Sequence, residues 1–252
     1  MITMKESLSE AIQIMLDTIS FKTPEGILTG YPELDNLTRG MRKGSLTVLV
    51  SPPSLGKTAF ALNIVNNLMG RKPETPVLYC TGLSHTELMF RLLTILSGVS
   101  CCYNRDHRPE EITRLTQCIA ERRSYPLFLE EYGTADSRFI EKMIGVCSEK
   151  DIGFLIIDPV RPEDLAKLKQ SAQQLDIPVL ALVSAGKQTE GMESADTVIH
   201  LIRERHETKN DQGAPVSLVV TRNRFGLCGT CRLNFIPQTM QFRASDDEIK
   251  EA

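Results

Sequence analysis

Tryptophan is absent from this 252-residue chain, and aromatic residues make up 6% of it. Single-stranded nucleic acid is commonly held by stacking bases on aromatic rings, and few rings are on offer here. No run reaches the roughly 18 apolar residues that a membrane-spanning helix needs. The opening segment MITMKESLSEAIQ is polar and carries acid early, unlike a secretory signal, so a cytoplasmic protein without a membrane partner is expected. The seven cysteines are an odd number, which does not suit a disulfide framework. Cys101 and Cys102 are adjacent and ill placed to pair with each other. Cys228 and Cys231 form a lone C-x-x-C without the second ligand pair that zinc requires; they read as two side chains on a β-hairpin. The formal net charge is −3. A protein that binds nucleic acid over a broad surface is usually more basic.

The chain has the length of one sizeable α/β domain. Its 41% apolar and 24% charged residues are ordinary for a globular protein. Residues 4–19 place Leu8, Ala11, Ile12, Met15, Leu16 and Ile19 at helical spacing, one apolar stripe. Pro24, Gly26 and Gly30 then break the pattern. Residues 1–25 are therefore predicted to be a helix plus linker, its stripe buried on its own domain or on a neighbouring subunit. Over 26–243, apolar runs at 45–50, 76–81, 126–131, 153–158 and 178–184 predict strands. Amphipathic segments at 58–69, 85–98, 109–124, 137–150 and 163–176 predict helices between or after them. Strands that read as near-continuous apolar runs, alternating with helices, imply a mostly parallel twisted sheet covered on both faces. The runs at 196–204, 216–224 and 231–237 follow one another without helices, so that edge is expected to be antiparallel. The charged tail 244–252 is expected to fray.

The sharpest local signal is SPPSLGKTAF, which follows a predicted strand and opens a predicted helix. Phosphate-binding loops occupy this context: backbone N–H groups of the turn and the helix N-terminus face the anion. The residues assigned to a nucleotide's phosphates are Ser51, Pro52, Pro53, Ser54, Leu55, Gly56, Lys57, Thr58 and Ala59. Lys57 would reach the β- and γ-phosphates, and the Thr58 hydroxyl would bind Mg²⁺. Ser51 stands where the G-x-x-x-x-G-K-S/T pattern has its first glycine. About a hundred residues on, GFLIIDPV is an apolar strand ending in an acid, the Walker-B pattern, so Asp158 would share the Mg²⁺. ATP and Mg²⁺ are the implied ligands.

The segment GILTGYPELDNLTRGMRKGSLTVLVSPPSLGKTAFALNIV resembles the entry to the motor domain of DnaB-type replicative DNA helicases. The likeness continues through HTELMFRLL, EITRLTQCI, PLFLEE, GFLIID, LDIPVLAL, ADTVIHLIRE and RNRFGLCGTCRLNFIP, roughly residues 26–237. It implies a RecA-like P-loop NTPase fold, assembly as a hexameric ring with ATP between subunits, and a place among other replication proteins with single-stranded DNA as candidate ligand. A ring that grips DNA through a few inward loops need not be basic overall. Arg222-Asn223-Arg224 matches the family's K-x-R motif, with Arg224 as the arginine finger that reaches a neighbour's γ-phosphate. Arg91 matches an arginine near the family's nucleotide site. The N-terminal helix matches the linker helix that docks on the adjacent subunit. Nothing here matches the family's separate N-terminal primase-interacting domain.

The chain departs from the family in three ways. Gly82 stands where the family carries its catalytic Glu, and a lost general base typically costs about 10²–10⁴-fold. Glu87, Glu130 and Glu131 lie nearby, and spacing selects none of them as substitute. Ser184 stands where the family has a γ-phosphate-sensing Gln. Two loops that hold single-stranded DNA in the family shrink to PVRP and AGKQTEGMES, leaving Arg161 and Lys187 as basic residues. Two readings follow: a helicase motor that couples ATP hydrolysis to strand translocation and unwinding, or a nucleotide-binding relative with little hydrolysis that acts as an assembly, loading or regulatory partner.

Overall fold

The computed structural model describes residue 4, residues 26–101, 106–133, 137–185, 191–203 and 213–244. Residues 5–25 of the predicted helix and linker, Lys187 and residues 245–252 of the tail lie outside the described residues, while Ala244, expected in the fraying tail, closes β11. Nine described strands form one sheet in the order β11-β10-β9-β8-β3-β7-β6-β4-β5. Their bounds are β3 Leu46–Ser51, β4 Val77–Thr81, β5 Leu127–Glu131, β6 Phe154–Val160, β7 Val179–Ser184, β8 Thr197–Arg203, β9 Ala214–Asn223, β10 Gly229–Ile236 and β11 Gln241–Ala244. Strands β5, β4, β6, β7, β3 and β8 run parallel. From β8 onward each pairing is antiparallel, as expected for strands joined without helices.

The period-two alternation of strands separates two cores. One face carries Leu49, Tyr79, Ile156, Leu182 and Ile199 against α2 (Lys57–Arg71) and α3 (His85–Ser97). The other carries Val48, Val50, Cys80, Ile157 and Ala181 against α5 (Ser137–Glu149) and α6 (Leu165–Leu175). On the first face Phe60, 1% exposed, lies between Tyr31 and Phe242 with ring centroids 5.3 and 5.2 Å away. Burying one such side chain contributes on the order of 1.5–3 kcal/mol. Helix α3 begins at Ser84, whose hydroxyl accepts from the Glu87 N–H at 3.2 Å, and ends at Gly98 in the left-handed region, the two chemistries that stop a helix at each end. Helix α4 (Pro109–Arg122) packs beside α3 yet leaves Ile112 and Ile119, 53% and 47% exposed, on its outer side.

Besides short 3₁₀ turns at Pro162–Asp164 and Met192–Ser194, the structure adds four elements to those expected. A two-residue ladder joins β1 Gly26–Ile27 to β2 Met41–Arg42. Helix α1 (Pro32–Thr38) lies between them. The Asp35 carboxylate fixes the preceding turn, accepting from Thr29 N and Oγ1, both at 2.7 Å, and from Gly30 N at 3.0 Å. The fourth is β11. One boundary is corrected: β6 does not end at Asp158 but runs on through Pro159 to Val160, so the carboxylate stands inside the strand. The C-x-x-C pair sits on the β9–β10 hairpin, Cys228 exposed in the turn and Cys231 buried on β10.

Candidate nucleotide site

Strand β3 delivers the chain to the carboxyl-terminal end of the sheet, where the turn 52–56 leads into α2. Ser51 is still strand, buried and paired with Ser184 on β7. It does not lie in the left-handed region, so this position needs none of the freedom of the glycine it replaces. The turn needs positive φ at Ser54 (64°) and Gly56 (98°). At Gly56 a Cβ would be strained and would lie 3.4 Å from Phe242. Gly56 also begins α2 without a side-chain cap and with no acid in the first turn. The helix's first N–H groups are thus left for an anion. Pro52, Pro53 and Ser54 are exposed, and Leu55 and Ala59 complete the turn and the helix start.

Lys57 curls back over the turn. Its Nζ donates to Ser51 O at 2.9 Å, Pro52 O at 3.3 Å and Ser51 Oγ at 3.4 Å. Burial lowers its pKa, with the Asp158 charge opposing. The Thr58 hydroxyl donates to Asp158 Oδ2 at 2.6 Å, so the two predicted magnesium ligands meet from elements a hundred residues apart. Burial raises the Asp158 carboxyl above its ordinary value, against hydrogen bonds from Thr58 and Tyr79 and the charges of Lys57 and Arg91. Lysine and carboxyl are both pushed toward their neutral forms, so desolvation outweighs their mutual attraction. Arg91 on α3 holds Glu87 at 2.6 Å.

Tyr79 was not foreseen. Its hydroxyl donates to the same Asp158 Oδ2 at 3.2 Å from a fully buried ring on β4. In the run PVLYCT it reads as a core aromatic, and only the pairing of β4 with β6 aims it at the acid. Gly82 follows β4, and its N–H donates to Asp158 O at 2.8 Å; the position matched to the catalytic Glu therefore does border the site. Ser184 ends β7 beside Ser51 and is exposed. Of the three nearby acids, Glu130 pairs with Lys142, Glu131 with His85 and Glu87 with Arg91. Arg161 is engaged by Glu163 and Asp164 at 3.2 and 2.9 Å.

Arg222 and Arg224 sit elsewhere. Strand β9 runs antiparallel to β8, so Asn223 pairs with Thr197, which stands opposite Thr47 near the start of β3. Five residue steps at about 3.3 Å each separate that end of β3 from Ser51, roughly 17 Å along the sheet. Arg224 therefore cannot reach its own chain's turn. Its guanidinium lies 3.1 Å from Asp196. A cleft of about 660 Å³ also opens at this amino-terminal end, lined among others by Lys43, Lys72, Asp151 and Asp176, and contains none of the predicted site residues.

Residues 26–161 match the family described as DnaB-like helicase C-terminal domain. Among curated relatives, the replicative DNA helicase DnaB of Treponema pallidum is 29% identical over 83% of this chain and 54% of its own length. The DnaB of Geobacillus stearothermophilus is 24% identical over 90% of this chain and 58% of its own length. The chain thus spans a little over half of these relatives. Two solved structures share the fold at 20% identity. The ATPase domain of G40P has a TM-score of 0.80 over 95% of this chain and 99% of its own. A DnaB-like replicative helicase studied with primase has a TM-score of 0.81 over 98% of this chain and 68% of its own. No helix among the described residues is long and apolar enough to cross a membrane. With a RecA-like sheet, a lysine-bearing turn and an Asp–Thr pair beneath it, the match over more than half its length makes this chain a member of the DnaB-like helicase C-terminal domain family.

Proposed function

We propose that this chain is the ATP-driven motor domain of a replicative DNA helicase, working in the cytoplasm as a hexameric ring with other replication proteins. The observation that carries this reading is the 2.6 Å contact between Thr58 Oγ1 and Asp158 Oδ2. A hydroxyl and a carboxylate that already touch, at the foot of an uncapped helix, suit one Mg²⁺ coordinated by oxygen. That ion would neutralise phosphate charge when bound. The N–H groups of residues 54–59 would cradle the phosphates, and Lys57 would leave the carbonyls of Ser51 and Pro52 to reach the outer ones. Asp158 must be ionised to hold the ion, and Tyr79 supports that form by donating to it.

The arrangement also favours an oligomer. Arg224 lies about 17 Å of strand away from its own turn, so a finger role requires a second copy to bring it to a neighbour's site. Ile112 and Ile119 present an uncovered apolar face on α4, of a kind that contacts between subunits bury. Gly82 supplies no base, which favours slow turnover over rapid unwinding by this chain alone. Single-stranded DNA remains the proposed track on the family likeness alone; Arg161, engaged by Glu163 and Asp164, does not contribute to it.

The test is ATP turnover together with mass in solution, with and without single-stranded DNA. Assembly into a ring, and ATP turnover that DNA stimulates and Lys57→Ala abolishes, support the motor. A monomer that binds no nucleotide removes it. Tight ATP binding with no turnover under any condition selects the regulatory relative instead.

A further inference from the structure

Asp196 is a buried carboxylate shared by two cations. Its side chain is 1% exposed. Oδ2 accepts from the Leu46 N–H at 2.9 Å and contacts Lys169 Nζ at 2.7 Å. Lys169 is held in turn, donating to Gly44 O at 2.8 Å. Oδ1 lies 3.1 Å from an Arg224 guanidinium nitrogen, yet off the axis of a hydrogen bond, and it has no hydrogen-bond donor among the described residues. Arg224 is therefore held by charge, without the two-pronged grip that arginine makes on an accessible carboxylate. Its side chain stays 55% exposed.

The backbone beneath it is pinned. Arg224 N–H donates to Asp196 O at 2.9 Å. Asn223 uses both ends of its amide: Nδ2 donates to Leu37 O at 2.9 Å and Leu227 O at 3.1 Å, and Oδ1 accepts from Phe225 N at 3.1 Å and Thr197 Oγ1 at 3.4 Å. The β8–β9 register slips so that Val198 faces Arg222 and Ile199 faces Val220, leaving Thr221 as an extra residue that re-aims the strand end.

We propose that Asp196 is the positioning residue of Arg224: it holds the guanidinium at the sheet's amino-terminal end while leaving it free to transfer to a neighbouring copy's terminal phosphate. This rests on the reading of Arg224 as a finger acting across the subunit interface. The charge balance explains the looseness. One carboxylate shared by Lys169 and Arg224 leaves the trio net positive, so a terminal phosphate still attracts the guanidinium. Holding the side chain near its working position also lowers the conformational entropy lost on contact.

The test uses a fluorescent non-hydrolysable ATP analogue and fluorescent ADP, bound to assembled protein. A finger touches the terminal phosphate, so its loss weakens the triphosphate alone. Arg224→Ala should do so about tenfold. Asp196→Asn, which still accepts from Leu46 N–H, should cause part of the same selective loss, about threefold. The double variant should be no weaker than Arg224→Ala. Lys169→Met places the carboxylate's whole charge on Arg224 and should also lower triphosphate preference. It decides the matter where Asp196→Asn does not fold. An unchanged triphosphate preference in Arg224→Ala overturns the finger reading itself. A selective loss in Arg224→Ala, with Asp196→Asn weakening both nucleotides equally or neither, overturns the positioning role and leaves the finger standing. Losses that add in the double variant, or a folded Lys169→Met with unaltered preference, overturn it as well.

Discussion

Gly82→Glu should raise ATP turnover. Gly82 does not lie in the left-handed region, so a side chain is allowed there. An added Cβ would sit 3.2 Å from Pro159 Cδ and 3.9 Å from Asp158 O. The first contact is tight by a few tenths of an ångström, an overpacking cost of about 1 kcal/mol, which a domain stable by roughly 5–15 kcal/mol tolerates. A positioned general base contributes about 10²–10⁴-fold, or about 2.7–5.4 kcal/mol at ~1.36 kcal/mol per decade. The Pro159 contact displaces the new carboxylate, and displacement erodes such gains steeply. The lower bound, about 10²-fold in kcat, is the expected result. Gly82→Gln has nearly the same volume and cannot take up a proton, so it should give no gain. Steady-state phosphate release, beside urea melts and nucleotide affinity for each variant, makes the measurement. A folded, nucleotide-binding Gly82→Glu that turns over no faster than Gly82→Gln would refute the reasoning.

Burial raises the Asp158 carboxyl, so the folded apo protein retains that proton at pH values where the unfolded chain has lost it. This group's stabilising contribution is full below the unfolded value and falls as pH rises through the folded one. Mg-nucleotide affinity should rise over the same window, because the ion needs the carboxylate. Urea melts and nucleotide titrations from about pH 4 to 8 on wild type and Asp158→Asn test both signs, since the variant should show neither trend. Phe60→Ala removes the ring between Tyr31 and Phe242 and should cost about 3–5 kcal/mol in urea unfolding; a loss under about 1 kcal/mol contradicts that packing. Arginine at both Ile112 and Ile119 should leave the melting temperature of the subunit nearly unchanged, because both positions are exposed, and should lower the mass seen by light scattering. Unaltered mass argues that α4 faces no other copy.

Much of the fold could be read from local pattern. The apolar runs at 45–50 and 178–184 identify strands because sheet burial on both faces demands apolar residues throughout. The turn at 51–58 was legible because a glycine, a lysine and a threonine in that order do one kind of work between a strand and a helix. Helix α1 escaped because seven residues are too few to establish a period, and β11 because QFRA carries two polar residues in four. Tyr79 and Asp196 escaped for a different reason. Each looks like an ordinary member of its segment, and each acquires its partner only from a strand or helix far away in the chain.

Sequence alone therefore settled most of the element types and the strand–turn–helix that carries Gly56, Lys57 and Thr58, since these depend on neighbours a few residues apart. Folding in three dimensions settled which ends meet. Parallel pairing of β4 with β6 brings Tyr79 to Asp158, and the reversal from β8 to β9 carries Arg224 to the end remote from Lys57. Strand register is fixed by burying whole faces at once, a condition on the entire sheet that no single stretch of residues encodes.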